Sequence, residues 1–294
     1  MESLTGFIPA GGEGQRLRPL TETHAKPILP VGSAESTLLD QGLDGLSTVA
    51  DSIVVTTFYR PDDIETVLER RTEDIWVARD RNLLNVGGSM LQHFDLLSEP
   101  LAGGADLLVM PSDQAHRNLD LTGFTESHRN SGAEVSVLAV ADKTYGDPVS
   151  DVTNRGVDAS TKLTGIYLFS STFLAKRLLA ELKQGWEREP YDLRNDVLKK
   201  DPPPGINVFV PECAYWDDAG TLERYLAANL VLSEGACVIS DQARVDDDAE
   251  LTACVVIGAA EVPGGIHHQS IFSVDSSGRS YMIRLDETLE EAEF

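Results

Sequence analysis

The sequence predicts an α/β fold in which a mostly parallel sheet carries helices on both faces, followed by a short C-terminal stack of β-coils. Three observations predict this fold. Apolar runs alternate with segments of helical periodicity over most of the chain. A glycine-rich loop follows the first apolar run, where ligands of parallel sheets bind. After Ser233, aliphatic residues recur every six positions.

The strand and helix signals follow one another along the chain. Apolar or β-branched runs predict strands at 7–9, 51–58, 75–78, 106–110 and 134–141. Helical spacing predicts helices at 61–71, 90–97, 124–130 and 222–229. Strands that alternate with helices indicate a Rossmann-like sheet, whose ligands bind beyond the carboxyl ends of the strands. We expect this domain to occupy residues 1–233.

Composition and net charge limit the kinds of binding partner and the cellular compartment that we expect for this protein. The 294 residues carry a net charge of −24, which disfavours nucleic acid and anionic membranes as partners, so a nucleotide site must be a local basic island. No apolar run approaches the ~18 residues that span a bilayer. The N-terminus lacks the features of a signal peptide, and an odd number of cysteines without metal-like spacing (Cys213, Cys237 and Cys254) suggests reduced thiols. We therefore expect a cytoplasmic protein.

The segment from Gly6 to Val31, GFIPAGGEGQRLRPLTETHAKPILPV, is the most informative part of the chain. Glycines allow backbone N–H groups to approach phosphate oxygens closely, and Arg16 and Lys26 add fixed positive charge for a polyanion. An ordinary tight turn is the alternative for the glycines alone. We predict a triphosphate site and assign the nucleotide-binding loop to Ala10, Gly11, Gly12 and Gly14.

This segment resembles the signature GGxGxRLxPLT and KPLLPV of the sugar-1-phosphate nucleotidyltransferases. Within that superfamily, the GGEG and Ala-Lys-Pro motifs look most like glucose-1-phosphate adenylyltransferase (ADP-glucose pyrophosphorylase). The resemblance covers about residues 6 to 232. It implies an enzyme that uses Mg²⁺ to transfer a nucleoside monophosphate, with AMP favoured, from a nucleoside triphosphate to a sugar-1-phosphate, releasing pyrophosphate.

Two aspartates are predicted to hold the Mg²⁺. Asp113 follows the apolar strand in DLLVMPSDQAH, where Ser112 replaces the glycine of the family's Gly-Asp motif. The segment YWDDAGT resembles the family's Trp-x-Asp-x-Gly-Thr, and its register selects Asp218 over Asp217 as the second ligand. Caps of turns or helices are the structural alternatives for these residues. By the resemblance, Arg16 stabilises the β- and γ-phosphates, whereas Lys26 offsets charge at the α-phosphate.

A further segment, NVGGSMLQHFDLL, can be laid on the family's GTADAVYQNLDLI, which contacts the nucleotide base and sugar. Gly87 and Gly88 are then close-approach positions for the nucleotide. A glycine-rich start of a helix is an equally weighted alternative. The segment YDLRNDVLKK resembles HDFGKDVIP and makes Asp196 a candidate on the sugar side.

The sequence departs from the family where the sugar phosphate would bind. The family carries a Glu-Lys-Pro segment before its GIYVF strand, and the stretch from Asp142 to Lys162 has none. Lys143 or Lys162 could replace the missing cation, although surface lysines are the more common case. The acceptor therefore stays open among sugar, amino-sugar and cyclitol phosphates.

The C-terminal part shows a six-residue repeat. Ile239, Val245, Leu251 and Ile257 are six residues apart, and Ala243, Ala249 and Val255 form a second series. This pattern predicts a left-handed β-helix of hexapeptide repeats of about two coils over 234–275, followed by an acidic tail over 276–294. Such coils resemble a shortened form of the C-terminal domain of ADP-glucose pyrophosphorylase, in which stacked coils mediate subunit contact, and a short stack favours a homo-oligomer.

The sequence leaves two functions open besides the enzyme. A noncatalytic subunit that senses nucleotide or sugar phosphate through the same pocket is favoured by the missing Glu-Lys-Pro. The four charged residues Arg16, Lys26, Asp113 and Asp218 favour the enzyme. An acyltransferase built on the β-coils is a remote third possibility, because two coils without a suitably placed histidine offer no acyl-carrier cleft.

Overall fold

The computed structural model describes residues 3–141, 146–153, 160–187, 189–199, 203, 205–212 and 215–285. Strands β1 to β17, in chain order, are Leu4–Ala10, Ser52–Thr57, Ile75–Arg79, Asp106–Val109, Ala115–Arg117, Val135–Val140, Lys162–Phe169, Ile206–Phe209, Tyr215–Asp217, Val238–Ile239, Arg244–Val245, Ala249–Thr252, Val255–Val256, Glu261–Val262, Gly265–His268, Ser270–Val274 and Ser280–Arg284. Helices α1 to α8 are Leu20–Thr23, Leu38–Ser47, Pro61–Leu68, Asn85–Gln92, Phe94–Ala102, Leu121–Ser131, Ser171–Lys183 and Leu222–Leu232. Short 3-10 helices cover Gln15–Leu17, Lys26–Ile28 and Val149–Asp151, and a π-helix covers Leu193–Lys199.

A seven-stranded sheet in the order β3-β2-β1-β4-β7-β6-β8 forms the centre of the molecule. Its pairings are parallel except for those of β7, which runs antiparallel to both β4 and β6. The carboxyl ends of β3, β2, β1 and β4 therefore lie along one edge of the sheet. The predicted α/β fold with a mostly parallel sheet is confirmed.

Helices cover both faces of this sheet because its strands are apolar on both sides. Phe7 and Val54 belong to a buried cluster with residues of α4, α5 and α7. Their chain neighbours Ile8 and Val55 belong to a second buried cluster with residues of α2, α3 and α6. Successive side chains of a strand point to opposite faces, so each strand contributes to both clusters.

The helix predicted at 90–97 is interrupted at His93. Helix α4 ends at Gln92 and α5 begins at Phe94, with His93 at backbone angles of −113° and 32°. The side chain of His93 hydrogen-bonds to Asp80 at the end of β3, with 3.0 Å between Nε2 and Oδ1. This contact ties the break between the two helices to the edge strand of the sheet.

The C-terminal strands pair in parallel between successive coils of the chain. Val238 pairs with Val255, and Val255 pairs with Ile271, while β11 pairs with β14 and β12 with β15. The left-handed β-helix stays a prediction. Strand β17 adds antiparallel to β16, so residues 280–284 form a strand within the segment assigned from the sequence to the acidic tail.

The C-terminal coils pack against the first loop of the chain. Leu17 and Leu20 share a buried cluster with Tyr225 of α8 and with Val255 and Ile271 of the coils. Near this cluster, the Thr23 hydroxyl donates to the carbonyl of Val274 at 3.1 Å. The coils thereby support the segment that carries Arg16 and Lys26. Throughout the described ranges, the helices lack the combination of length and hydrophobicity that a membrane span needs.

Candidate functional site

A cavity of about 490 Å³ opens at the carboxyl edge of the sheet, beyond the ends of β1, β3 and β4. Its charged lining consists of Arg16, Lys26, Asp80 and Asp113. Of the predicted site residues, those that line it are Gly11, Gly12, Gly14, Arg16, Lys26 and Asp113. The structure thus brings the glycine loop, both predicted cations and one predicted carboxylate to a single cavity.

The glycine loop is shaped by close packing on one side and open space on the other. Gly14 has a φ of 62°, and a Cβ there would lie 2.9 Å from Cγ2 of Thr21 and 3.1 Å from Cβ of Lys26. A Cβ on Gly12 would meet nothing within 4 Å. Gly14 is therefore required by the turn, whereas Gly12 leaves its backbone open to the cavity. Ala10 is buried at the end of β1 and does not line the cavity.

Lys26 links two distant parts of the chain at the cavity wall. Only 9% of its side chain is exposed, and its Nζ donates to Oδ2 of Asp113 at 2.7 Å. The same ammonium donates to the backbone carbonyl of Asp218 at 2.8 Å. A buried ammonium needs such partners because desolvation of an unpaired charge is costly.

Asp113 lies just beyond β4, as predicted, and retains partial exposure at 35% of its side chain. The preceding Ser112 is not among the residues with positive φ, so a glycine is not required at its position. Its hydroxyl instead donates to the carbonyl of Pro9 at 2.8 Å, which ties the end of β4 to the end of β1. This bond holds the carboxylate beside the glycine loop.

Asp217 and Asp218 have different environments. Asp217 is buried, accepts a hydrogen bond from the backbone N–H of Ala219 at 2.7 Å, and pairs with Arg224 at 2.9 Å. Asp218 also contacts Arg224, and its backbone carbonyl accepts from Lys26. Asp217 therefore supports the turn, which leaves Asp218 as the better candidate for a ligand, although Asp218 does not itself line the cavity.

Burial raises the pKa of the Asp218 carboxyl group, and the negative charges of Asp113 and Asp217 raise it further. The positive charges of Arg224 and Lys26 act in the opposite direction. Asp113 is thus close enough to act electrostatically on Asp218. Two neighbouring carboxylates that repel each other can be stabilised by a cation between them.

Gly220 brings Arg16 and Asp218 close together. A Cβ on Gly220 would lie 2.7 Å from Oδ1 of Asp218 and 3.1 Å from Nη2 of Arg16. Only a glycine allows both side chains this approach. Arg16 is exposed, and no ion pair involves it within the described ranges, so its guanidinium is available for an anionic ligand.

The carboxylates of Asp113 and Asp218 fit the preferences of Mg²⁺. This ion takes hard oxygen ligands and is usually held by one or two carboxylates together with substrate phosphates. In the described part of the chain no group of three or more His, Cys, Asp or Glu side chains is suited to a metal ion. The two carboxylates are therefore adequate for an ion that takes its remaining ligands from substrate phosphates and water. The described residues do not offer enough side chains to coordinate a metal ion by protein ligands alone.

Gly87 and Gly88 do not line the cavity. A Cβ on Gly87 would lie 2.8 Å from the backbone oxygen of Tyr191, and the N–H of Gly88 donates to that same oxygen at 3.0 Å. Both glycines are buried at the start of α4, where the chain around Tyr191 crosses the helix. The close approach that they allow is to the protein backbone, and their contact with a nucleotide stays a prediction.

The residues predicted for the sugar phosphate are not gathered at the cavity. Asp196 lies in the π-helix, where its Oδ2 accepts from the backbone N–H of Asp192 at 2.8 Å. Lys162 begins β7 and is half-buried away from the cavity lining. Lys143 falls outside the described residues. Their roles toward an acceptor stay predictions.

Asp80 lines the cavity, and sequence reasoning missed it. It follows β3 directly, so the rule that singled out Asp113, a carboxylate at the carboxyl end of a parallel strand, applies equally to Asp80. Gly220 and Arg224 were missed as well. Gly220 belongs to the YWDDAGT segment that predicted Asp218, so this motif carried a signal for it, whereas nothing in the local sequence distinguishes Arg224.

Comparisons with known proteins show what the chain is similar to. The family model described as nucleotidyl transferase matches residues 5–148. The chain is 26% identical over 282 residues to glucose-1-phosphate adenylyltransferase 1 of Vibrio cholerae, covering 79% of this chain and 67% of that protein. It is 25% identical over 267 residues to the glucose-1-phosphate adenylyltransferase of Fervidobacterium nodosum, covering 79% of this chain and 62% of that protein. The chain therefore spans about two thirds of the length of these curated relatives.

Two solved structures share the fold. A mannose-1-phosphate geranyltransferase from Thermus thermophilus superposes with a TM-score of 0.65 at 20% identity, covering 96% of this chain and 95% of that one. A provisionally assigned glucose-1-phosphate thymidylyltransferase from Bacillus anthracis gives a TM-score of 0.63 at 19% identity, covering 79% and 96%. The resemblance drawn from the sequence motifs is confirmed.

Proposed function

We propose that this protein transfers a nucleoside monophosphate from a nucleoside triphosphate to a sugar-1-phosphate or a sugar-like phosphate, because residues 5–148 match the family model described as nucleotidyl transferase. AMP is the favoured group, since the curated relatives are adenylyltransferases. The observation that carries the proposal is the cavity where the glycine loop, Arg16, Lys26 and Asp113 meet. Amino-sugar and cyclitol phosphates stay among the acceptors because the Glu-Lys-Pro segment is missing.

The proposed reaction needs alignment and charge neutralisation from the protein. A phosphate oxygen of the acceptor attacks the α-phosphorus in line and forms the new P–O bond. The bond between the α-phosphorus and the bridging oxygen breaks, and the electron pair leaves with pyrophosphate. No side chain acts as a nucleophile, so the rate depends on holding the two substrates in line and on stabilising negative charge.

The charged residues in and beside the cavity have distinct proposed roles. The exposed guanidinium of Arg16 binds the β- and γ-phosphates and the departing pyrophosphate. Lys26, held against Asp113, offsets negative charge at the α-phosphate. Asp113 and Asp218 would hold Mg²⁺, which would supply positive charge that offsets the negative charge of the phosphates.

The test is a screen for pyrophosphate release with ATP, GTP, CTP, UTP and dTTP against a panel of sugar and cyclitol phosphates. For a productive pair, Asp113→Asn or Asp218→Asn should each lower kcat on the order of 10²-fold or more, which is typical of removing one preorganised electrostatic group. Asp241→Asn removes the same charge from an exposed position on the C-terminal coils and should leave kcat unchanged. Normal turnover by either Asp113→Asn or Asp218→Asn would remove that aspartate from the mechanism.

A noncatalytic sensing subunit is the second candidate, and the missing Glu-Lys-Pro segment favours it. Its signature would be tight triphosphate binding without pyrophosphate release across the full panel.

We also propose that residues 234–275 form a left-handed β-helix that joins copies of the chain into a homo-oligomer. A monomeric mass by light scattering over a range of protein concentrations would contradict that assembly.

A further inference from the structure

We propose that Cys237 and Cys254 form a modification site on the C-terminal coils, where a low-molecular-weight disulfide converts the two thiols into an intramolecular disulfide. This inference goes beyond the proposed transfer reaction and does not depend on it. It arises from two free cysteines that contact each other across neighbouring coils and that have no role in the proposed function.

The two cysteines occupy matching positions on successive coils. Cys237 directly precedes β10 and Cys254 directly precedes β13, and Val238 of β10 pairs in parallel with Val255 of β13. The N–H of Val238 donates to the carbonyl of Cys254 at 3.0 Å, so the two coils are already in contact at the cysteines. Neighbouring strands are about 4.8 Å apart, and the Cα atoms of a disulfide are roughly 4.4–6.8 Å apart. The spacing of the coils therefore suits a disulfide.

The side chains of both cysteines lie in the same interior. Cys254 is fully buried in a cluster with Val256 and Phe272, and Cys237 packs against this cluster while it keeps partial exposure. The sulfur of Cys237 reaches the second coil, where it accepts from the backbone N–H of Cys254 at 3.3 Å. The sulfur of Cys254 donates to the carbonyl of Thr252 at 3.2 Å, and a thiol is a weak donor. Loss of that bond therefore opposes formation of a disulfide only slightly.

The two thiols differ in how readily they react. Burial raises the pKa of the Cys254 thiol, and the negative charge of an ionised Cys237 raises it further. The thiolate is the reactive form, so a raised pKa makes Cys254 the slower nucleophile of the two. Cys237 is also the more exposed thiol. We therefore assign the first reaction with a small disulfide to Cys237.

The modification proceeds by two exchanges. The thiolate of Cys237 attacks one sulfur of the small disulfide, forms a mixed disulfide and releases the first small thiol. The thiolate of Cys254 then attacks the Cys237 sulfur, forms the intramolecular bond and releases the second small thiol. The two protein thiols lose two electrons and two protons in total, and the small disulfide takes them up. No other co-reactant is needed.

A metal ion is the other partner that two neighbouring thiols can take. Structural zinc sites use four protein ligands. Over the residues that the structure describes, no group of three or more His, Cys, Asp or Glu side chains is suited to a metal ion. His267 approaches the Cys254 sulfur only through its carbonyl, at 3.5 Å, whereas its Nε2 donates to the carbonyl of Pro263 at 2.8 Å. The surroundings of the pair therefore favour a disulfide over a metal centre.

The new bond would fasten the first coil to the second. It closes a loop from Cys237 to Cys254 that contains β10, β11 and β12. A closed loop leaves the unfolded chain with fewer conformations, which stabilises the folded state. For a loop and a chain of this size, we expect oxidation to raise Tm by about 5–10 °C.

The test treats the reduced full-length protein with excess glutathione disulfide and then blocks the remaining thiols. Digestion with trypsin, which cleaves after lysine and arginine, separates Cys213, Cys237 and Cys254 into peptides 201–224, 225–244 and 245–279. Mass spectrometry without reduction should find peptide 225–244 linked to peptide 245–279. Tm should rise by the stated amount and should return to its original value when dithiothreitol is added.

Cys213→Ser is the matched control, because it removes the third cysteine, and it should keep both the link and the rise in Tm. Cys237→Ser and Cys254→Ser should lose both. Each variant is compared with its own reduced form, so a difference in starting stability does not affect the result. A wild-type protein that stays reduced, a product that stops at the mixed disulfide, a link to Cys213, or an unchanged Tm in the linked protein would overturn the proposal.

Discussion

At the scale of single residues, the candidate site contains one buried charge that is well paired, that of Lys26, and one carboxylate whose charged form is disfavoured by its surroundings, that of Asp218. Lys26 is nearly buried and is stabilised by the side chain of Asp113 and the carbonyl of Asp218. Asp218 is itself a half-buried carboxylate whose pKa is raised by burial and by its acidic neighbours. The register of the YWDDAGT segment favours Asp218 over Asp217 as a ligand, and the environments of the two residues support this choice, which stays a prediction.

The raised pKa of Asp218 predicts how stability depends on pH. Because the folded-state pKa lies above its ordinary value of 3.8, the folded state binds the proton more readily, and stability falls as pH rises through the folded pKa. Asp218→Asn removes the destabilising charge and should raise Tm at neutral pH in EDTA-containing buffer. The gain should shrink as pH is lowered toward 3.8. A variant with a lower Tm than wild type at pH 7 would contradict this reading of the carboxylate.

At the scale of secondary structure elements, glycines of the two motifs serve different purposes. Those of the first loop face the cavity or shape its turn, whereas Gly87 and Gly88 let the chain near Tyr191 cross the start of α4. The motif alignment could not separate these purposes, because both require a residue without Cβ. Only the position of the crossing segment, about a hundred residues later in the chain, distinguishes them.

These two purposes predict that replacing a glycine by alanine lowers stability at Gly87 and lowers triphosphate affinity at Gly12. Gly87→Ala would press a methyl group against the backbone oxygen of Tyr191, 2.8 Å away, and should cost about 1–3 kcal/mol in the free energy of unfolding. Gly12→Ala meets no neighbour within 4 Å and should leave that free energy nearly unchanged, while it weakens triphosphate binding by intruding into the cavity. Urea unfolding and calorimetry on both variants check the pair. Full stability of Gly87→Ala would show that the crossing can shift.

Much of the sheet was predictable because its strands are apolar on both faces and are separated by amphipathic helices. The strands predicted at 51–58 and 106–110 appear as β2 and β4 with slightly narrower bounds. The direction of β7 was not predictable. Its run LTGIYLF has the same apolar character as its parallel neighbours, and antiparallel pairing with β4 and β6 depends on contacts distant in sequence. The break at His93 likewise depends on a bond to Asp80.

At the scale of the whole molecule, the C-terminal coils and the first loop share one buried cluster. Leu17 and Leu20 follow Arg16 closely in the chain and pack with Val255 and Ile271. The segment that carries the cations is therefore supported by residues more than two hundred positions away. The repeat predicted strands in this region, but its contact with the loop has no local sequence signal.

This shared cluster predicts that a change in the coils reaches the cavity. Ile271→Ala removes a fully buried side chain and should cost about 2–5 kcal/mol in the free energy of unfolding. It should also weaken triphosphate binding, because it loosens the packing beneath Arg16. Ile266→Ala is the control, because Ile266 lies in β15, the strand that precedes β16 in the chain, and is 76% exposed. It should change neither the free energy of unfolding nor the triphosphate affinity. Lower stability with unaltered affinity would show that the loop holds its shape independently of the coils.

The cavity takes its walls from the ends of β1, β3 and β4 and from the turn before α8, stretches that are far apart along the polypeptide. Any occupant that touches all of them works as a reversible cross-link within the chain. Opening of one wall then requires release of the occupant, so that the separate stretches gain protection together from proteases and from amide exchange.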